Sequence, residues 1–378
     1  MSTNAESKQT GRIFACHLVN LEPLMEKQSV QHSPVQHSPV QHSSAQHSSA
    51  QHSPAQYLPI TCKTALHAVS GVFPFKKDLN IYRGCENGCK YCFAVYSHKY
   101  MKVEEGQGGS ANVHSANVHS SNGCANGYYD HIYVKTNVAE RLDKELSAPG
   151  FKREVVNIGG ICDSYQSAEA EYELMPDVLR VMIKHKMPAI ISTKSDLILR
   201  DFDLIDELSK CAFVNIVSTI TTADESVREK IEPGAVSTKR RFDMLEKFRK
   251  TDATIGVHMM PVLPLLTDQT ENAEAIFSKT REIGADYIIV QTLYLRGQTR
   301  QIYFNFIKNE FPELYEEMRY LYRAGGLDKA YRTRYYSMVN PLLKKYELST
   351  DYMRPVREAL ENGENGGEVR QPTLFDFG

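Results

Sequence analysis

Six short runs rich in β-branched and other apolar residues recur along the chain, at 79–83, 154–158 (EVVNI), 189–193 (AIIST), 213–219 (FVNIVST), 254–260 (TIGVHMM) and 286–293 (DYIIVQTL). Between them lie stretches with helical spacing, at 136–147, 170–186, 201–210, 237–250 and 270–283. Within 170–186, Leu174, Val178, Val181 and Met182 repeat every three or four residues, the period of one helix face. Strands that alternate with helices predict an α/β fold, a parallel sheet with right-handed crossovers. Six such strands suit a barrel or partial barrel, in which functional groups sit at the C-terminal strand ends. Here those ends carry Gly159-Gly160, Thr193-Lys194, Ser218-Thr219 and Met260-Pro261.

The 378 residues are 42% hydrophobic and 24% charged, enough apolar material for a substantial core. A net charge of −2 gives no bulk attraction to nucleic acid or anionic membrane, so either partner requires a local patch. No apolar run approaches the ~20 residues of a membrane span, and the N-terminus lacks a secretory pattern. The expected location is cytoplasmic. Residues 1–56 read as a disordered tail, because 28–56 lack Lys, Arg, Asp and Glu and repeat a QHS unit that carries five histidines. Residues 104–129, with SANVH twice in succession, read as a flexible insertion within a barrel domain spanning 57–295. A helical extension at 296–350 and a polar tail at 351–378 complete the expected organisation.

Three of the eight cysteines crowd into AsnIleTyrArgGly-Cys85-x3-Cys89-x2-Cys92, on a loop after the first expected strand. Thiolates at this spacing let one loop wrap an iron–sulfur cluster, and a reducing compartment argues against disulfides. Three ligands leave one iron of a four-iron cluster open, free to take a small chelating ligand. The alternative is a zinc site, for which His98 is the nearest fourth ligand; zinc favours two separated pairs, and no second pair follows.

The motif resembles that of the radical S-adenosylmethionine (radical SAM) superfamily. Beyond it, IYRGCENGCKYCFA (81–94), IGGICDSYQSAEAEYEL (158–174), STKSDLILRD (192–201), IEPGAVSTKRR (231–241) and MMPVLPLLTD (259–268) resemble the spore photoproduct lyase-related, DNA repair photolyase-like branch. The resemblance implies a partial (β/α)6, TIM-like radical SAM barrel over roughly residues 57–350. It implies a 4Fe–4S cluster on Cys85, Cys89 and Cys92, and S-adenosylmethionine at the open iron, cleaved to a 5′-deoxyadenosyl radical. It also implies an electron donor such as flavodoxin or ferredoxin. Gly159 and Gly160 match the glycine turn beside the methionine end of the cofactor, Lys194 a cation for its carboxylate, and Ser218 a ribose contact. Tyr91 and Ser164 fall beside the same site. The plainer readings are a sheet-end turn, a solvated lysine and a strand-capping serine. Cys162 matches a hydrogen-atom donor of spore photoproduct lyase; otherwise it is a small buried thiol.

Residues 296–345 hold ten Lys/Arg against five Asp/Glu, and ten Phe/Tyr. Such a tract, with TKRRF (238–242), could grip nucleic acid through phosphates and stacked bases, or form a helical cap with an aromatic core. Gln371, Leu374 and Phe375 resemble a peptide that docks on the sliding clamp, with Pro372 where Leu is common. DNA lesion repair is therefore the leading expectation. Modification of a peptide, RNA or small molecule is the alternative, and a non-catalytic redox sensor lies outside both. The absence of cysteine beyond Cys211 argues against an auxiliary cluster of the peptide-modifying kind.

Overall fold

The computed structural model describes residues 55–71, 73–100 and 127–362. The QHS and SANVH repeats, Cys16, Cys124, Gln371, Leu374 and Phe375 lie outside the described residues. The strands are β1 (Gln56–Ile60), β2 (Leu66–Ala68), β3 (Lys77–Leu79), β4 (Tyr82–Arg83), β5 (His131–Lys135), β6 (Val156–Ile158), β7 (Ala189–Thr193), β8 (Val214–Thr219), β9 (Thr254–Val262) and β10 (Tyr287–Thr292). The helices are α1 (Val138–Leu146), α2 (Ser167–Tyr172), α3 (Leu174–Lys184), α4 (Phe202–Cys211), α5 (Glu225–Ile231), α6 (Thr238–Phe248), α7 (Thr270–Glu282), α8 (Gly297–Glu310), α9 (Tyr315–Leu321), α10 (Lys329–Lys345) and α11 (Arg354–Asn362).

The main sheet has the order β10-β9-β8-β7-β6-β3-β2. Its first six strands pair in parallel and β2 adds antiparallel to β3. Among the described residues β10 and β2 are not paired, so the sheet is an open barrel, as expected from the alternating pattern. A second sheet, β1-β5-β4, flanks it.

Successive side chains of a strand face opposite ways. Ile191, Ile216, Ile255, Val257 and Ile288 point outward and are sealed against α3, α4, α6 and α7 through Met182, Leu208, Phe248 and Phe277. The inward set, Ile190, Val217 and Tyr287, packs with Val356 of α11 as a separate apolar plug. Burial on both faces explains why these strands read as continuous apolar runs. A groove of about 320 Å3 at the N-terminal strand ends, lined by Asp252, Asp286, Arg354 and Glu358, contains none of the cysteines. No helix among the described residues is long and apolar enough to cross a membrane.

Two expected elements are divided. The run at 79–83 splits into β3 and β4, which join different sheets. Asn80 makes the break: its side chain donates to Asp78 at 2.5 Å, and Lys135 Nζ takes its carbonyl at 2.6 Å. The helix expected over 170–186 is interrupted at Glu173, whose φ is 47°. The buried Glu169 carboxylate accepts from the amides of Leu174 and Met175 at 3.1 and 2.9 Å, and so caps α3 from within. The amide bonds that a continuous helix would make are replaced by side-chain bonds.

Candidate cluster and cofactor site

The cysteine loop leaves β4 through Gly84, whose φ is +93°. A Cβ there would lie 2.4 Å from the His131 carbonyl, so only glycine fits. Every turn of the loop is tied to another element. Gln166 Nε2 donates to the Gly84 carbonyl at 3.2 Å, and the Glu86 amide donates to Gln166 Oε1 at 2.9 Å. Asn87 Nδ2 donates to Asp163 at 2.9 Å. Tyr129 Oη donates to the Cys89 carbonyl at 2.8 Å, and Thr299 Oγ1 to the Cys92 carbonyl at 3.0 Å. Tyr128 and Tyr129, counted at the edge of the insertion from sequence, thus pack on the loop, and the Cys92 thiol lies 4.0 Å from Tyr128 Oη.

Cys85 and Cys89 are buried and Cys92 nearly so. Burial pushes all three thiols up, Cys89 to about 12 and Cys85 well above its ordinary value. The Lys194 ammonium pulls Cys89 and Cys92 the other way. Thiols shielded from water keep their protons until a metal displaces them. The donor set is therefore three soft sulfurs in a sealed loop, whose chemistry fits an iron–sulfur cluster that these residues would hold. His98 is buried edge-on against Tyr128 and Tyr133, with ring centroids 5.1 and 5.6 Å away.

Beneath Cys89 lies an ion network absent from the sequence-derived site. Glu232 and Arg241 are fully buried and paired at 2.6 Å. Tyr91 Oη donates to Glu232 Oε1, and Arg241 Nη1 donates to the Thr219 carbonyl at 2.9 Å. Burial alone would raise Glu232, yet Arg241 and Lys194 hold it below the ordinary carboxylate value. Burial also works against charge on Lys194, but Cys89, once it is a thiolate, and the Glu232 carboxylate keep its ammonium more firmly protonated than usual. Its Nζ sits 5.8 Å from the centre of the Tyr91 ring. A lysine fixed in its charged form at a strand end suits a carboxylate.

After β6, Gly159 has φ +91°, and a Cβ would lie 2.5 Å from the Ser192 carbonyl. At Gly160 a Cβ would lie 2.5 Å from Asp78 Oδ1. The turn ends in Asp163, a buried hub that sequence reading passed over. It accepts from Asn87, from Thr193 Oγ1 at 2.7 Å, and from the amides of Tyr165 and Lys194 at 2.9 and 2.7 Å. It thereby fixes the cysteine loop against the ends of β6 and β7. Ser164 Oγ is fully buried with no protein partner, the state of a hydroxyl awaiting a ligand or water. The Cys162 thiol donates to the Tyr82 carbonyl at 3.2 Å and burial pushes it up to about 12, so it keeps its hydrogen. Ser218 is buried on the helix-facing side with Ile216 and donates to the Thr193 carbonyl at 2.8 Å, the strand-capping arrangement.

Gly159→Ala is expected to cost about 1–3 kcal/mol in urea unfolding, from backbone strain and the Ser192 contact together. Gly150, with φ +77° and nothing within 4 Å of its missing Cβ, provides the control. Gly150→Ala should cost clearly less; equal losses would show that the Ser192 contact contributes nothing.

The TKRRF cluster is not a free cationic patch. Arg241 points inward to Glu232, Arg240 pairs with Asp196 at 2.6 Å and Lys239 with Asp243 at 2.6 Å. The 296–345 tract divides. Tyr303, Phe306, Tyr322 and Tyr335 are core, whereas Tyr320 is exposed with the Arg323 guanidinium 3.9 Å from its ring centre. Just before this tract, Tyr294 is exposed beyond β10 with Arg296 stacked at 4.7 Å. Phe93 and Tyr96, immediately after Cys92, are also exposed.

A family model of the radical SAM superfamily matches residues 79–277, more than half of the chain. An uncharacterized protein of Mycobacterium tuberculosis strain H37Rv is 32% identical over 305 residues, covering 80% of this chain and 84% of the relative. An uncharacterized protein of Methanocaldococcus jannaschii is 24% identical over 242 residues, covering 64% and 78%. Among solved structures, spore photoproduct lyase complexed with dinucleoside spore photoproduct superposes with a TM-score of 0.53, covering 77% of this chain and 79% of that one. A mutant of that lyase with bound AdoMet and the dinucleoside gives the same score and coverage. At 11% identity these two likenesses establish the fold. An open parallel α/β barrel carrying a three-cysteine loop, with this family match, defines an iron–sulfur enzyme. The chain belongs to the radical SAM superfamily, whose cofactors, a 4Fe–4S cluster and S-adenosylmethionine, are its own.

Proposed function

We propose that this radical SAM enzyme acts on nucleic acid, in a lyase-type repair of a damaged pyrimidine. Cys85, Cys89 and Cys92 would hold the cluster; Tyr91, Gly159, Gly160, Ser164 and Lys194 would bind S-adenosylmethionine. The bound cofactors supply reductive cleavage to a 5′-deoxyadenosyl radical, with the electron from a donor such as flavodoxin or ferredoxin. The chain's own residues keep the Lys194 ammonium charged and hold a protonated thiol at Cys162. That thiol is the proposed hydrogen-atom donor to the product.

The observation that carries this reading is the rim beside the cysteine loop. Phe93, Tyr96 and Tyr294 are exposed there, with Arg296 stacked on Tyr294, and Thr299 of α8 bonds to Cys92 itself. Aromatic faces with a cation receive an unstacked base and its phosphate, and a base in a duplex would be flipped out to reach a barrel mouth. The structural likeness to a lyase solved with a dinucleoside photoproduct supports the same substrate class. Docking on the sliding clamp through Gln371, Leu374 and Phe375 belongs to this proposal on sequence grounds.

The test is anaerobic. The cluster is reconstituted, dithionite and S-adenosylmethionine are added, and 5′-deoxyadenosine is assayed with and without ultraviolet-irradiated DNA. Formation that rises with irradiated DNA, alongside restored pyrimidines, is expected; formation indifferent to DNA would reject the substrate class. Cys162→Ala should still release 5′-deoxyadenosine but lower repaired product by about 10-fold or more and yield altered products. Unchanged products would remove Cys162 from the mechanism.

A further inference from the structure

One polar constellation inside the barrel takes no part in the site described so far. His258 of β9 lies in register with Thr219 of β8 and Ile289 of β10, on the inward face. Its neighbours Val257 and Met259 point into the outer core. One step below, Gly256 lies between Val217 and Tyr287 in register. A Cβ on Gly256 would meet Tyr287 Cζ and Oη at 2.4 Å, so the missing side chain is what lets the tyrosine ring lie across β9. Placed there, Tyr287 Oη accepts from Asn215 Nδ2 at 2.9 Å and stands 3.4 Å from His258 Nε2.

The Asn215 amide donates to one lone pair of the tyrosine oxygen, which leaves a phenol proton and a second lone pair to meet His258 Nε2. With the phenol proton directed to Nε2, that nitrogen carries no proton and the imidazole hydrogen resides on Nδ1. Nδ1 has no hydrogen-bond partner among the described residues. The ring is half-buried whereas Asn215 and Tyr287 are sealed beneath it, so the free N–H is the end of the chain that opens to the lumen. Asn215 Oδ1 is buried without a protein partner. Burial, with the Lys194 ammonium adding to it, pushes His258 down to about 3, so the ring stays neutral. An anion would be drawn to Lys194; a neutral N–H beside that cation matches an uncharged acceptor.

We infer that His258, fixed in one tautomer by Tyr287 and Asn215, is a neutral hydrogen-bond donor to a carbonyl oxygen of the substrate inside the barrel. That this carbonyl belongs to a pyrimidine rests on the nucleic-acid reading above. The role is recognition, separate from cluster and cofactor binding.

Two measurements on the full reconstituted chain test it. The first is the tautomer, read by 15N NMR of histidine-labelled protein, with the His258 signal assigned by its loss in His258→Gln. An Nδ1–H tautomer is expected, converting toward Nε2–H in Tyr287→Phe. An Nε2–H tautomer in the unaltered chain overturns the inference whatever the substrate proves to be. The second is equilibrium binding of ultraviolet-irradiated thymidylyl-thymidine in the presence of S-adenosylmethionine. His258→Phe should weaken it by about 10-fold or more, and His258→Asn, which keeps an N–H near the Nδ1 position, should remain within about 3-fold. Binding of S-adenosylmethionine alone should stay within about 2-fold in both. Unchanged dinucleotide binding in His258→Phe, or equal loss of cofactor binding, overturns the recognition role. If the unaltered chain does not bind the irradiated dinucleotide at all, the pyrimidine assignment falls, and the tautomer measurement alone decides the donor.

Discussion

Replacing Cys85, Cys89 or Cys92 singly with Ala is expected to yield a folded chain that retains no intact four-iron cluster and forms no measurable 5′-deoxyadenosine. Changes to groups that merely orient a metal ligand cost about 10–100-fold in affinity or activity, so loss of a ligand should exceed about 100-fold. Folding should survive, because the loop is held by backbone and side-chain bonds that the thiols do not make, from Gln166, Asn87, Tyr129 and Thr299. Iron and sulfide content with the visible absorption of the reconstituted protein gives the first readout, and 5′-deoxyadenosine gives the second. Tyr129→Phe is the matched control. It removes one bond to the Cys89 carbonyl and leaves all three sulfurs, so cluster content should fall far less. A Cys→Ala variant that keeps a full cluster and releases 5′-deoxyadenosine would dismiss that cysteine as a ligand.

The parallel sheet was legible because its strands are buried on both faces and therefore read as apolar runs; β7 has the same bounds in sequence and structure. The elements that escaped notice lack that signature. Strands β1 and β5 pair with each other through QYLPI and HIYVK, segments 75 residues apart, and no local periodicity announces such a partnership. The interruption at Glu173 carries one local mark, Pro176 in the first turn of α3, but the helical spacing of Leu174, Val178, Val181 and Met182 runs on past it; the carboxylate of Glu169 then satisfies the first amides of α3 from inside. The same limit applies to the site. Cysteines at short spacing carry their chemistry in their order along the chain. Asp163, Glu232 and Arg241 looked like ordinary polar residues, because a charge becomes internal only through partners that the fold brings from other elements. Arg241 shows the consequence most directly. In sequence it stands beside Lys239 and Arg240 as a cationic cluster, yet in the fold its guanidinium faces the opposite way and serves the cysteine loop.

The buried pair of Glu232 and Arg241 should give the largest stability effect outside the cluster ligands. Both side chains have 0% exposure, and their 2.6 Å contact is accompanied by bonds from Tyr91 to the carboxylate and from Arg241 to the Thr219 and Val236 carbonyls. Taking two charges out of water costs several kcal/mol each, and only the pairing offsets it. Glu232→Ala leaves a guanidinium that cannot lose its proton, sealed without its counter-charge. The expected loss is about 3–5 kcal/mol in urea unfolding followed by circular dichroism. Replacing the two together, Glu232→Met with Arg241→Leu, removes the stranded charge and should recover part of that loss; a double variant less stable than Glu232→Ala would show that the charges are not the cause. The pair also predicts a pH response. Glu232 titrates below its ordinary value in the fold, so its contribution is complete above the unfolded carboxylate value of about 4.3 and is lost as the pH falls through the lower folded value. Stability of the unaltered chain should therefore fall more steeply in acid than that of the double variant. Parallel acid limbs would mean that Glu232 is not the group whose protonation loosens the floor beneath Cys89.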